Sequence, residues 1–338
     1  MTNIFRYEVI EGWEQLPRGY VHGNVHGIDV DSQDRVYLVT RRDPRVIVYN
    51  RDGSFVTSWG ENIFTPTVHG LEIGPDDSVY IVDCGDHTVR KFDRNGKQLM
   101  VIGTPGVPSD SGFDSKKGVS SITRAAPPFN QPANVAIAKN GDLYVADGYA
   151  NARVHRFSAD GKLIQSWGEP GRGPGQFILP HGIAITPDWR VMVAEREHDR
   201  IQFFSPEGEY LDQWTHLQRP ADIFIDSDGL VYVTSLRWNV GDHSFMHGSI
   251  RHNLPGHITI LDLDGNILLR WISEDGCAPG NFFVPHGICV DSHGDLYVGE
   301  VTYTSGVSKG LVTPDCHSFQ KFTRRGSPPK AYSKKQEG

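Results

Sequence analysis

The sequence holds no apolar run approaching the ~20 residues that cross a bilayer. Its first residues, MTNIFRYEVIEGWEQLPRGY, lack the charged-then-apolar order of a secretion signal. Cysteine is scarce as well: Cys84, Cys277, Cys289 and Cys316 form no CxxC pair and no close spacing. Together these absences predict a cytoplasmic chain with free thiols and no membrane partner. Basic charge is in deficit, with 33 Lys and Arg against 41 Asp and Glu and a formal net charge of −8. A phosphate backbone or an anionic membrane selects basic faces, so this balance argues against nucleic acid and leaves small molecules or proteins as partners.

Glycine and proline are plentiful by contrast, with 37 and 21 copies, and they are spread along the chain as turn punctuation rather than gathered in one tract. Six similar phrases open six similar units: HGIDVD from residue 26, HGLEIG from 69, ANVAIA from 133, HGIAIT from 181, ADIFID from 221 and HGICVD from 286. Each is followed by a β-rich run such as RVYLVTRR or DLYVADGY, then by an alternating strand such as RVIVYN or RIQFFS. Most units add a fourth strand, often ending in tryptophan, as in SFVTSWG and NILLRW. Asp-Gly and Asn-Gly pairs supply the tight hairpins between them. Four antiparallel strands recurring every ~40 to 50 residues are the mark of propeller blades, which predicts an all-β, six-bladed β-propeller. The sixth unit lacks a fourth strand and FRYEVIEGW, residues 5–13, is an orphan, so pairing the two closes a single domain over 1–325. Residues 326–338 read as a polar tail. Two intervals exceed the repeat, and their excess lies in 103–131 and 238–256. Long loops inside a compact repeat are functional or disordered; projecting from the histidine face, these two would wall or cover a pocket.

The first strand of a blade lines the central channel, so a residue at its entrance points toward the axis. Histidine fills that position in units 1, 2, 4 and 6, while units 3 and 5 carry Ala133 and Ala221. His69, His181 and His286 come from alternate blades, about 120° apart in a six-fold ring, which is the arrangement of a three-histidine metal site. Zinc with an open fourth position suits it, and iron, copper or manganese satisfies the same ligand count. His26 breaks the three-fold pattern and reads as a pocket residue beside the ligands. The loops after the second strands open on the same face and offer Arg41, Arg42, Tyr149 and Arg196. Around a metal these make chemical sense, since guanidinium groups bind a carboxylate bidentately and a phenol beside a cation can serve as a base. The histidines of the second insertion, His243, His247 and His252, read as polar lid surface, and the strand-closing tryptophans as core.

The phrases VHGLEIG, DGYANARVHRFSADGKLIQSWG, PHGIAIT, AEREHDRIQFF and PHGICVD resemble the NHL-repeat catalytic core of peptidyl-α-hydroxyglycine α-amidating lyase, over roughly residues 20–325. The resemblance implies a zinc lyase that cleaves an N-(α-hydroxyalkyl) amide to an amide and an aldehyde acid. It assigns the metal to His69, His181 and His286, the base to Tyr149 and the charge-stabilising guanidiniums to Arg196 and Arg41. It implies a small substrate bearing a carboxylate and a hydroxyl. The residues themselves, apart from the resemblance, add Arg42, Arg237 and His26 as substrate-binding candidates.

Three departures bear on that reading. Ala150 stands where the resemblance places a cysteine, which removes a disulfide. Gly287 stands where it places an aspartate ligand of a structural calcium, although Ile28 and Leu71 occupy the positions of the carbonyl ligands. The second insertion, containing Arg237 and Trp238, reshapes the pocket, so a peptide substrate is not implied. Two other classes compete with the lyase: a metal-dependent hydrolase or lactonase on the same propeller, and a non-catalytic NHL binding propeller.

Overall fold

A computed structural model describes residues 5–328. Six four-stranded antiparallel sheets stand around one axis, five of them built in chain order from the innermost strand outward and the sixth taking its outermost strand from the N-terminal segment. Blade 1 comprises Val25–Val30, Val36–Thr40, Val46–Tyr49 and Phe55–Trp59, and blade 4 comprises Pro180–Ile185, Val191–Glu195, Arg200–Phe204 and Tyr210–Trp214. In all six blades the second strand is buried at every residue, which is why VYLVT and its counterparts read as near-continuous apolar runs. The ring closes as predicted. Arg6–Val9 pairs antiparallel with Phe319–Arg325, matching Arg6 with Arg325 and Val9 with Phe322.

Six apolar cores lie one at each blade junction, and a smaller seventh cluster gathers Ala221, Leu236, Phe283, Val284 and Val301. Tyr37, Val39, Leu71 and Phe92 pack between blades 1 and 2, and the series continues to Val25, Tyr49, Tyr297 and Phe319 between blades 6 and 1. The tryptophans belong to this packing. Trp59, Trp167 and Trp214 lie on Gly96, Gly208 and Gly265 of the following blade, where an added Cβ would come within 2.7, 2.6 and 2.7 Å of the indole. Those glycines sit in the tight turns at φ of 82°, 81° and 85°, so one residue satisfies both the left-handed turn and the indole above it.

The His-Gly dipeptide has a related cause. In blades 1, 2, 4 and 6 the pairing register shifts across it, between Val25 and Gly27, Val68 and Leu71, Pro180 and Ile183, and Pro285 and Ile288. A bulge there re-aims the histidine toward the axis. The glycine lies against the next blade: a Cβ on Gly27, Gly182 or Gly287 would meet Leu71 N, Ala221 O or His26 O at 2.6, 2.6 and 2.7 Å.

Two expectations change. Cys277 and Cys316 form a disulfide, with Cα atoms 5.0 Å apart across 39 residues of chain. Only Cys84 and Cys289 are free, both buried, so the free-thiol premise does not hold for the other two. Sequence spacing could not show this pairing, because the two cysteines flank the first two strands of blade 6 and meet only when that blade folds. In addition, a third long connection, 301–318, leaves blade 6 carrying a short helix, Thr302–Ser305. It escapes a count of repeat intervals because no seventh unit follows. Of the polar tail, residues 329–338 lie outside the described residues.

Candidate functional site

The imidazoles of His69, His181 and His286 are oriented alike. Nδ1 of His69 lies 2.7 Å from Ala133 O, Nδ1 of His181 2.6 Å from Ala221 O, and Nδ1 of His286 2.9 Å from His26 O. Each acceptor is the residue at the same position of the next blade, and a carbonyl can only accept, so the proton sits on Nδ1 and the Nε2 lone pair faces the axis. The three ring centroids are 4.7 to 5.0 Å apart. Burial first, then neighbouring cationic groups, holds all three well below the usual histidine range, His286 at about 3, so the rings are neutral.

His26 does not share this arrangement. Its ring is 5.2 Å from His69 and 4.9 Å from His286, and its buried Nδ1 has no hydrogen-bond partner. Ligand atoms of His26, His69 and His286 all lie within 4.8 Å of one another. This trio differs by one member from the trio read in the sequence. Tyr149 bridges His69 and His181: its hydroxyl is 2.9 Å from Nε2 of both.

Counting protons shows what this cluster is short of. Arg196 Nη1 donates to Tyr149 Oη at 3.0 Å, which leaves that hydroxyl one proton for two imidazole lone pairs. A third lone pair, on His286, converges on the same place, and His26 Nδ1 is an orphan beside it. Buried acceptors in excess of donors cost about 1–3 kcal/mol each. A cation removes the deficit, so the residues fit a divalent metal held by His69, His181 and His286. Calcium fits the channel less well. Gly287 has no room for a side chain. Both oxygens of Asp29 already accept backbone N–H groups, from Val30 at 2.8 Å and Ile73 at 2.7 Å. Asp222 accepts from Ile223, Asn134 and Ile288.

Above the imidazoles opens a cavity of about 560 Å3, lined in part by His26, Arg41, Tyr149, Arg196 and His286. The loops after the second strands of blades 1, 3 and 4 thus meet the channel mouth. Arg196 also donates to Glu197 at 2.9 Å, and Arg219 donates to the same carboxylate oxygen at 2.9 Å. Burial opposes charge on Glu197, yet the two guanidiniums outweigh it and hold the carboxyl below its usual range. Arg41 donates to Val68 O at 3.3 Å and has no carboxylate partner among the described residues; burial lowers its pKa. Arg42 is not brought to the cavity. It is exposed and lies over the Tyr303 ring at 5.0 Å.

The two insertions divide their work. The second, with Arg237 directly before it, supplies Trp238, Asn239, Asp242 and His243 to the wall. Its histidines do not converge, His247 turning away to Asp199 at 2.8 Å. The first insertion reaches the cavity only at its last residue, Gln131. The rest of it clamps the Tyr149 loop from behind: Tyr149 N donates to Gln131 O at 3.2 Å, Ala150 N to Asn130 O at 3.1 Å, and Ser111 Oγ to Ala150 O. Where the resemblance places a cysteine, hydrogen bonds hold the loop instead. Arg219, Glu197 and Lys309 are site residues that the sequence did not reveal. Arg219 precedes a first strand rather than following a second, and Lys309 belongs to the unrecognised third connection.

Residues 129–157 match the NHL repeat family model. Among curated proteins, NHL repeat-containing protein 3 of Homo sapiens is 33% identical over a region covering 68% of this chain and 66% of that protein. The probable peptidyl-alpha-hydroxyglycine alpha-amidating lyase pgal-1 of Caenorhabditis elegans is 42% identical over 23% of each chain. The chain thus spans less than two thirds of the length of the relatives it matches. A solved streptogramin B lyase superposes with a TM-score of 0.56 at 13% identity, covering 95% of this chain and 97% of that one, which concerns the fold alone. The chain is an NHL-repeat six-bladed propeller resembling the amidating lyases.

Proposed function

We propose that this protein is a metal-dependent lyase that cleaves the C–N bond of a small α-hydroxylated amide acid, releasing an amide and an aldehyde or keto acid. One observation carries the reading: three neutral imidazoles, each locked through Nδ1, converge with the Tyr149 hydroxyl, which is itself held by a buried guanidinium. A binding propeller without activity is the second reading, favoured by the relative that covers most of this chain being named for its repeats alone.

Zinc, or iron or manganese in its place, would be held by His69, His181 and His286 and would supply Lewis acidity to the substrate hydroxyl. With its own proton passed to solvent, Tyr149 Oη would take the hydroxyl proton; the carbonyl forms as the C–N bond breaks, and the phenol returns that proton to the departing amide nitrogen. Arg196 donates to the phenolic oxygen at 3.0 Å, so it stabilises the negative charge that this oxygen carries before proton transfer. Arg41, buried without a counter-ion, is placed to take the substrate carboxylate, which fixes the hydroxyl beside Tyr149. No water is consumed in this sequence, which separates it from a lactonase.

The test pairs elemental analysis with product analysis. Wild type is expected to hold near one equivalent of transition metal, and a folded triple variant, His69→Ala, His181→Ala, His286→Ala, none. The metal-loaded protein should release amide and aldehyde acid in equal amounts from an N-acyl-α-hydroxyglycine, with no oxygen taken from isotopically labelled water beyond carbonyl exchange. A metal-loaded protein that cleaves no α-hydroxylated amide would leave the binding propeller as the better account.

A further inference from the structure

Five cationic side chains line the cavity, Arg41, Arg196, Arg219, Arg237 and Lys309, against one carboxylate, Asp242. A single substrate carboxylate does not account for them. Arg196 and Arg219 share Glu197, and Arg41 stands unpaired near the imidazoles. Arg237 makes a separate centre. Its guanidinium carbon lies 4.2 Å from the Phe283 ring centroid, so its plane is set by packing rather than by a counter-ion. Its Nε is buried with no acceptor, as is the indole Nε1 of the next residue, Trp238, whose ring lies 4.0 Å beneath the Arg219 guanidinium. The one acid on this wall forms no salt bridge with Arg237: Asp242 Oδ2 accepts Asn239 N at 2.8 Å and Asn239 Nδ2 at 3.2 Å, and Asp242 acts on the guanidinium only through its charge. Where the imidazole cluster has acceptors without donors, this wall has donors without an acceptor. Burial penalises the charge on Arg237, and a positioned guanidinium with an unfilled fork matches a carboxylate.

We propose that Arg237 forms a second anion subsite, so that the substrate is dianionic, carrying a further carboxylate at the end remote from the metal. This rests on the reading of the cavity as the substrate site and narrows the substrate class to acidic α-hydroxylated amides. Arg237 lies past the end of the strand Val231–Ser235 and directly before the second insertion, so the specificity belongs to that connection rather than to the repeat.

Calorimetric titration of the purified protein with linear dicarboxylates, succinate to adipate, against monocarboxylates of equal chain length tests this without turnover. At the best length the dicarboxylate should bind at least about tenfold more tightly. Arg237→Gln should abolish that preference while leaving monocarboxylate binding and the thermal midpoint unchanged, and Arg237→Lys should restore part of it. Equal binding of both series by wild type, or a preference that survives Arg237→Gln, overturns the subsite. Wild type and variants are titrated in the same metal state, so any chelation by the dicarboxylate is common to both. The outcome is also separable from the lyase reading: a preference lost in Arg237→Gln stands whether or not any hydroxylated amide is cleaved.

Discussion

Tyr149 is the residue on which the proposed chemistry turns, because its oxygen is the one atom shared by two imidazoles and a guanidinium. Tyr149→Phe removes the proton acceptor and leaves the ring. Steady-state assays of aldehyde-acid release should show kcat reduced by about 10²–10⁴, with metal content unchanged; retained turnover would exclude the phenol as base. The two odd histidines can be told apart in the same way. His181 has the locked Nδ1 of a ligand, whereas His26 has an unpartnered Nδ1 and a ligand atom grouped with those of His69 and His286. Titration with Co²⁺, followed by its visible spectrum, should lose the metal signal in His181→Ala. In His26→Ala it should retain the signal with the same coordination geometry. Loss of cobalt in His26→Ala alone would make His26 the third ligand and Tyr149–His181 a hydrogen-bonded pair outside the metal sphere.

At the level of the element, the bulged entrance of the first strand in blades 1, 2, 4 and 6 does two jobs with two residues: the imidazole turns to the axis and the glycine admits the neighbouring blade. Gly182→Ala would place a methyl 2.6 Å from Ala221 O and 2.8 Å from Asp222 Cα, atoms of backbone that cannot swing aside. The strand must shift, and Ala221 O is the acceptor that orients His181. We expect a loss of about 1–3 kcal/mol in stability, seen in chemical denaturation, together with weakened metal binding by a folded protein. A variant with wild-type metal affinity would show that the ring of Nδ1 bonds is not what sets ligand geometry. These elements were legible to different degrees. HGIDVD, HGLEIG, HGIAIT and HGICVD announced the axis-facing ring because it depends on local residue type, whereas the bulge that aims it appears only in the strand pairing. The first insertion did not announce its role, since whether a loop covers a cavity or braces a neighbour depends on where its middle packs.

Over the whole molecule the channel is a buried seam, and its acids respond to pH as a consequence. Desolvation, opposed by two backbone N–H bonds and assisted by Asp31, raises Asp29 to about 7. A carboxyl whose folded pKa is raised holds a proton that the unfolded chain releases from about 3.8 upward. Its contribution to stability is therefore full below that value and lost as pH rises through about 7. Asp29→Asn cannot ionise, so the midpoint of the variant minus that of wild type should rise between pH 5 and pH 8 in thermal melts. A difference that stays flat or falls would show Asp29 ionised in the native channel and call for a bound cation there.

The sequence by itself determined the six-fold repeat, the closure by Arg6–Val9 and the identity of the axis-facing residues, because strand period, turn chemistry and repeat spacing are local properties copied six times. It also placed Arg41, Tyr149 and Arg196 on one face, since every blade opens its second loop the same way. Only the tertiary structure decided the Cys277–Cys316 bond, the departure of Arg42 toward Tyr303, the entry of Arg219 and Lys309 into the cavity, and the rivalry of His26 and His181. Those depend on angles and distances between segments that no repeat constrains: a guanidinium two bonds of backbone away can face solvent or substrate, and an imidazole can meet a metal or a phenol, according to how neighbouring blades and insertions pack.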